Sequence, residues 1–430
     1  MNLSIVILAA GFGTRMKSKL PKVLHRICGK PMIEYLVDES LKLSDDVTII
    51  TYHGEELIKE HLNNYKTLNF ITQDIKNFPG TGGAIKDINP KHEKILLLNG
   101  DMPLVSSTDL EAFLNEDSDI NLGVIDIDNP SGYGRVIIQD KQIKRIVEQK
   151  DASKKELEVT TINTGVYLFK RDILKKYQPK LTNNNAQNEY YITDIIGLAK
   201  AENKIISPIY VGEDSFMGVN SPYELSSAEL IMANKIKANL MQSGTKMRLP
   251  QSIYIESTVS IDEYSSIENG VSILGNTVIK NTHIKANSYI QDSTIINSSI
   301  GPMANIRPNS NISDSHIGNF VEVKNSTLNT IKAGHLSYLG DSDINEGTNI
   351  GAGTITCNYD GKNKYKTTIG KNVFIGSDTQ IVAPVNISDD TIIAAGSTIT
   401  KDTTKGDLAI SRTRQTNIKN FFYKFFNKNT

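Results

Sequence analysis

The chain has 430 residues, too many for one ordinary hydrophobic core, so two domains of about 200 residues each are expected. Its 47 Lys and Arg against 48 Asp and Glu leave a net charge of −1, which argues against general nucleic-acid affinity and requires anionic substrates to be met by local charge. No apolar run approaches the about 20 residues of a membrane span, so no stable membrane insertion is expected.

Cys28 and Cys357 are far apart and near no other ligand-spaced residues, so neither a disulfide framework nor a zinc site is suggested and a cytoplasmic setting is the natural reading. The first ten residues lack a basic segment and run straight into a glycine loop, so Ile5-Val-Ile-Leu8 reads as a buried strand rather than part of a signal peptide.

A helix near Met32 to Lys42 and strands at Val47-Thr-Ile-Ile50 and Ile95-Leu-Leu-Leu98 follow. This alternation predicts an α/β domain over residues 1–220, with a Rossmann-like, mainly parallel sheet. From Pro222 to about Gln242, Leu225, Ala228, Ile231, Ile236 and Leu240 fall near helical spacing before Gly244, predicting a linker helix within 221–246.

Beyond it Ile255, Ile261, Ile267, Ile273 and Ile279 recur every six residues, as do Ile369, Ile375, Ile381, Ile387, Ile393 and Ile399. Such a repeat predicts a solenoid over 247–430 whose coils have three flat sides of six residues, one aliphatic side chain per side pointing inward. Small corner residues such as Gly376-Ser-Asp and Ala394-Ala-Gly fit this reading. The segment Cys357 to Lys366 cannot fill inward positions and should loop out.

The first strand leads into Leu8-Ala9-Ala10-Gly11-Phe12-Gly13-Thr14-Arg15-Met16, with Lys22 following Leu20-Pro21. The glycines would let backbone N–H groups approach phosphates, while Arg15 and Lys22 add charge. This run, followed by Pro-Lys, resembles the sugar-1-phosphate nucleotidyltransferases. Gln73, Gly80-Thr81-Gly82, Gly100-Asp101, Gly132-Tyr-Gly-Arg135, Glu148, Asn163 and Gly218-Val-Asn220 occur in the order that family uses.

With the hexads added, nearly the whole chain resembles the bacterial bifunctional N-acetylglucosamine-1-phosphate uridyltransferases and glucosamine-1-phosphate N-acetyltransferases. The resemblance implies that the repeats form a left-handed parallel β-helix. It implies that Leu8, Ala9, Ala10, Gly11, Gly13 and Lys22 hold UTP and that Gln73, Gly80 and Thr81 read its uracil. Gly134, Glu148 and Asn163 would hold the sugar, and Asp101 with Asn220 would bind Mg²⁺. Asp101, after an apolar strand, would stand at the carboxyl end of a parallel sheet, the usual place for a ligand. The sugar phosphate would attack the α-phosphorus of UTP in line and expel pyrophosphate, with Mg²⁺, Lys22 and Arg15 offsetting charge and no general base required.

In the repeats the informative residues break the hexad: Arg307, Lys324, His335 in Ala333-Gly-His-Leu-Ser-Tyr338, Asn349, Asn358-Tyr359, Ser377, Ala394 and Arg412. The resemblance implies an acetyltransferase site here, with acetyl-CoA as donor. Arg307 and Lys324 would bind the sugar phosphate, and Tyr338 and Asn349 would position glucosamine. Asn358 would serve either the amino sugar or acetyl-CoA, Tyr359 and Ser377 the thioester, and Ala394 and Arg412 coenzyme A. His335 is the natural general base for freeing the amine nucleophile. The resemblance also implies a homotrimer with the site between adjacent prisms.

Two rival readings make the prism a mere trimerisation module or the chain a non-catalytic nucleotide-sugar binder. Phe12 in the variable loop position, and Pro79 and Gly83 beside the uracil segment, depart from the family pattern, with an expected effect on nucleotide affinity more than on chemistry. The aromatic, basic tail Asn420-Phe-Phe-Tyr-Lys-Phe-Phe426 suggests docking on a neighbouring subunit, with membrane-surface contact as the alternative.

Overall fold

The computed structural model describes residues 2–185 and 187–428, and the chain divides into two compact units, Met1–Met232 and Ala233–Thr430. The division falls within the helix Pro222–Gln242.

In the first unit the strand Leu3–Ala9 turns Leu3, Ile5, Ile7 and Ala9 into one core layer and Val6 into the other. Such two-sided burial is what a parallel sheet covered on both faces demands. From edge to edge the strands run Ile206–Tyr210, Ile120–Asp126, Thr161–Lys170, Lys94–Asn99, Leu3–Ala9, Asp46–Thr51 and Leu68–Thr72. Only Thr161–Lys170 runs antiparallel to its neighbours in that row. A hairpin of Arg135–Gln139 and Gln142–Val147 attaches to it through Ile162 and Arg135.

After Leu3–Ala9 the chain adds strands on one side, then returns with Lys94–Asn99 on the other. The carboxyl ends of Leu3–Ala9 and Lys94–Asn99 therefore flank a topological switch point, where an open α/β sheet leaves a crevice.

The second unit is a left-handed parallel β-helix whose short strands form three parallel sheets of ten, nine and eight strands. The hexad isoleucines from Ile255 to Ile279 and from Ile369 to Ile399 all belong to its single buried column. The three-sided coil is as the sequence predicts, but its sides are not uniformly six residues long. Between Ile279 and Ile350 the inward residues Ile279, Ile284, Ile290, Ile295, Ile300, Ile306, Ile312, Ile317, Val323, Leu328, Ala333, Leu339, Ile344 and Ile350 step by five or six.

Every five-residue step turns its corner on a left-handed residue two places after the inward one: Asn281, Asp292, Asn297, Asp314, Asn325, Thr330 and Asp341, with φ of 44 to 55°. All but Thr330 are Asn or Asp, the side chains that tolerate this conformation best after glycine. They also bond along the corner, Asn281 Nδ2 to Asn297 Oδ1 at 3.0 Å and Asn297 Nδ2 to Asp314 Oδ1 at 3.2 Å.

Because the column is contiguous, truncating one member leaves a void that neighbouring coils cannot fill. Ile306→Ala is expected to lower the stability of this unit by about 2–5 kcal/mol, read as an earlier midpoint in urea denaturation of the full chain. An unchanged midpoint would show that the column repacks.

Candidate active sites

The strand Leu3–Ala9 delivers Ala10 and Gly11 to the crevice, and Lys94–Asn99 delivers Asn99 and Asp101. The cleft has two compartments. One is lined by Leu8, Ala9, Ala10, Gly11, Lys22, Gln73, Pro79, Gly80, Thr81, Asn99 and Asp101. The other is lined by Leu8, Thr81, Asn99, Asp101, Tyr133, Gly134, Glu148, Asn163, Thr193 and Asn220 among others. Leu8, Thr81, Asn99 and Asp101 border both, so Asp101 stands at the junction.

At that junction the Lys22 ammonium is ion-paired to Asp101 Oδ2 and donates to Asn220 Oδ1 at 3.1 Å. Two hard oxygen donors thus converge on one cation, a fit to a divalent metal that takes its remaining ligands from phosphates and water. Among the described residues no group of three or more His, Cys, Asp and Glu could enclose a metal by itself.

Gln73 is buried, and its Nε2 donates to the carbonyls of Phe78 at 3.0 Å and Gly80 at 2.9 Å, so it also holds the loop beside it. Gly80 (φ 88°) lies where a Cβ would come within 2.6 Å of the Tyr190 carbonyl. Gly83 has a packing reason: a Cβ there would run into the Phe78 carbonyl. Gly11 has open space around it, whereas Gly13 (φ 60°) packs on Lys22, where a Cβ would meet the lysine Cβ at 2.7 Å. Arg15 is exposed on the short turn Thr14–Met16 and lines neither compartment.

In the second compartment a bulge between Asn163 and Tyr167 interrupts the pairing with Ile120–Asp126. Asn163 Nδ2 donates to the Tyr167 hydroxyl at 2.8 Å and its Oδ1 accepts from the Gly165 amide at 2.8 Å, which fixes the side chain. Burial pushes the Glu148 carboxyl up; a hydrogen bond from Thr193 opposes the rise, and Asp151 and Asp194 add to it. Asn99 and Thr193 escape the motif reading, and Tyr133 lies within the Gly132–Arg135 run without an assigned role. The signal for Asn99 was its place beside Gly100-Asp101.

In the β-helix, Lys324 and Tyr338 share one sheet, where Glu322 pairs with Tyr338 and Lys324 with Gly340, and Arg307 directly follows that sheet's strand Asn305–Ile306. The Tyr338 ring lies across Gly340, since a Cβ there would run into its hydroxyl. Arg307 Nη1 bonds Glu322 Oε1 at 2.9 Å. Asn358 Nδ2 donates to Asp341 and reaches the Tyr338 hydroxyl at 3.4 Å. The excursion from Asn358 to Lys366 folds back through a Tyr359–Lys364 bridge and brings Lys364 to Lys324. The Lys364 ammonium, followed by burial and the Arg307 charge, holds Lys324 below the usual lysine range, with Asp341 opposing. Three cations held this close suit a dianionic phosphate. Lys364 lay in a segment that the hexad had already singled out.

His335 and Asn349 belong to a neighbouring sheet, His335 exposed at the end of Lys332–His335 and Asn349 paired with Lys332. Ser377 and Ala394 follow inward isoleucines of that sheet at its corner, and Arg412 runs beside Gly396. Tyr359 is exposed on the excursion.

A MobA-like NTP transferase domain model matches residues 5–148, and a bacterial transferase hexapeptide model of six repeats matches residues 366–401. The chain is 59% identical over 430 residues to the "Bifunctional protein GlmU" of a Nitratiruptor species, covering 100% of both chains. Proteins of the same name from Aliarcobacter butzleri and a Sulfurovum species are each 55% identical, over 98% and 99% of both chains respectively. The chain belongs to the bifunctional GlmU family.

As a GlmU protein it is a bifunctional enzyme making UDP-N-acetylglucosamine for cell-envelope precursors. The hexapeptide unit transfers acetyl from acetyl-CoA to glucosamine-1-phosphate, and the NTP transferase unit then transfers uridylyl from UTP to N-acetylglucosamine-1-phosphate, with a divalent metal and release of pyrophosphate.

Glu148 offers a test of the second compartment. Its folded pKa lies above that of the unfolded chain, so the folded state binds this proton more tightly and the group's stabilising contribution is lost as pH rises through the folded pKa. Glu148→Gln should therefore melt higher than wild type at pH 7–8, with the gain shrinking on acidification towards that pKa. If the carboxylate accepts sugar hydroxyls, the wild-type KM for N-acetylglucosamine-1-phosphate should also rise as pH falls, starting at a higher pH than an ordinary glutamate would give, and the KM of Glu148→Gln should be high and flat.

Proposed function

We propose that the two GlmU reactions use the following residues, metal and assembly. UTP lies in the compartment of Leu8, Ala9, Ala10, Gly11, Gln73, Gly80 and Thr81, and N-acetylglucosamine-1-phosphate lies in that of Gly134, Glu148 and Asn163. The carrying observation is the convergence of Asp101 and Asn220 oxygens on one cation where the compartments meet. The metal is Mg²⁺, which when bound supplies charge neutralisation on the phosphates. Gly11 and Gly13 let the backbone approach those phosphates, while Lys22 meets the charge of the departing pyrophosphate and Arg15 adds to it from the loop. The sugar phosphate enters as an anion, so attack at the α-phosphorus needs no base.

For acetyl transfer, Arg307 and Lys324, together with Lys364, hold the phosphate of glucosamine-1-phosphate, and Tyr338 and Asn349 orient the sugar. His335 accepts the proton of the attacking amine. Asn358, Tyr359, Ser377, Ala394 and Arg412 receive acetyl-CoA. A homotrimer completes this site. Supporting it, Phe374, Ile392 and Leu408 lie in register on the sheet of His335 and Asn349 and are 52%, 50% and 60% exposed, an apolar ladder that invites a second copy. The enzyme works in the cytoplasm, where UTP and acetyl-CoA are available. Among the described residues no helix is long and apolar enough to cross a membrane.

Purified enzyme supplied with acetyl-CoA, glucosamine-1-phosphate, UTP and Mg²⁺ should release both free thiol and pyrophosphate. His335→Ala should lose thiol release at least about a hundredfold while converting supplied N-acetylglucosamine-1-phosphate normally, and Asp101→Ala should do the reverse. Loss, in either variant, of both thiol release from acetyl-CoA with glucosamine-1-phosphate and pyrophosphate release from supplied N-acetylglucosamine-1-phosphate would refute two separable sites.

A further inference from the structure

Asp101 and Asn220 are oriented by contacts other than Lys22. The Asn220 amide nitrogen donates to the Gly218 carbonyl at 3.1 Å, which turns Oδ1 towards the cleft, and its backbone N–H donates to Glu224 Oε2 at 2.6 Å. The Val219 N–H donates to the Asp101 carbonyl at 2.9 Å, and Gly218 leaves room for the carboxylate, where a Cβ would stand 3.3 Å from Oδ1. Lys22 is anchored as well: it opens the short turn Lys22–Leu24, whose Val23 and Leu24 are buried, and its stem packs on Gly13. From this anchored backbone the side chain extends its ammonium to the two oxygens assigned to the metal. The side chains of the ion pair are only 16% and 12% exposed, so water screens the contact weakly.

We infer that Lys22 gates the cation site, its ammonium competing with the divalent ion for Asp101 Oδ2 and Asn220 Oδ1 until nucleotide phosphates draw it away. The inference rests on the reading of Asp101 and Asn220 as metal ligands. Two positive charges cannot share one carboxylate oxygen and one amide oxygen at bonding distance without strong mutual repulsion. The nucleotide compartment, which Lys22 itself lines, offers the ammonium a second anionic partner once a triphosphate is present. Nucleotide and metal then favour each other's binding although the protein ligands of the ion do not change, because each relieves a cost the other would meet alone. The gate protects against a metal seated without its substrate and against a lysine left unpaired in a half-buried cleft.

The test uses Mn²⁺ as probe on the full-length enzyme, with bound ion measured by electron paramagnetic resonance or calorimetry, without nucleotide and with a non-hydrolysable UTP analogue. Lys22→Met should bind Mn²⁺ without nucleotide roughly tenfold or more tightly than wild type, and Lys22→Gln should do likewise. Lys22→Arg, which keeps the charge, should stay near wild type. Adding Asp101→Asn to Lys22→Met should abolish the gain. Thermal melting reports whether each variant is folded, and the two neutral variants check one another. Equal Mn²⁺ affinity in wild type, Lys22→Met and Lys22→Gln, all lost on Asp101→Asn, would overturn the gate while leaving the metal ligands in place. Mn²⁺ binding indifferent to Asp101→Asn would instead overturn the ligand assignment, and the gate with it.

Discussion

Parallel pairing carries the same position of successive strands onto one line, and both sites depend on that constraint. In the first unit it brings the carboxyl ends of Leu3–Ala9 and Lys94–Asn99 side by side, so that Gly11 and Asp101 open on one crevice although a long stretch of chain separates them. In the second it stacks outward positions coil upon coil, which sets Lys324 beside Gly340 and Glu322 beside Tyr338. An antiparallel sheet would have sent alternate strand ends to opposite edges. The exception, Thr161–Lys170, serves the cleft through its bulge, which presents Asn163 to the second compartment.

The two units hold their clustered cations in opposite ways. In the cleft the Lys22 charge is already satisfied by Asp101 and Asn220, and a ligand must redistribute existing bonds. On the prism Arg307, Lys324 and Lys364 crowd one another with Glu322 and Asp341 as partial compensation, and the strain shows as a depressed Lys324. The first arrangement ties one cation to fixed oxygens, and the second leaves three cations only partly compensated. With a net charge of −1, neither unit could rely on a general field to collect phosphates.

What the sequence disclosed follows from the same constraint. Parallel strands buried on both faces read as apolar runs, and flat prism sides read as hexads, so both architectures were visible. The five-residue sides were not, because their signature is a single left-handed Asn or Asp at a corner, residues common in any turn. The motif residues of the cleft were named because backbone proximity needs glycine and metals need carboxylate. Asn99, which borders both compartments, has no such requirement attached to its type, and Arg15, within the motif, lies outside the lining. Gly83 looked like a departure relevant to nucleotide affinity and is explained by contact with Phe78.

The excursion at Asn358–Lys366 shows how little is needed to turn a structural prism into a site. A regular coil offers only outward side chains of alternate residues, all on one surface. Here the chain leaves after Cys357 and folds back with the Tyr365 amide on the Asn358 carbonyl at 2.8 Å, while Asp360 Oδ1 caps the Lys362 and Asn363 amides at 2.7 and 2.6 Å. It re-enters at Thr367, so that Ile369 resumes the column without loss of register. The closed base keeps Asn358 against Asp341 and Tyr338, and the returning limb carries Lys364 over Lys324. Groups that no single coil could present together are thus gathered above one sheet, and beneath them Thr356 takes the inward position between Ile350 and Ile369, its hydroxyl donating to the Gly340 carbonyl at 3.0 Å.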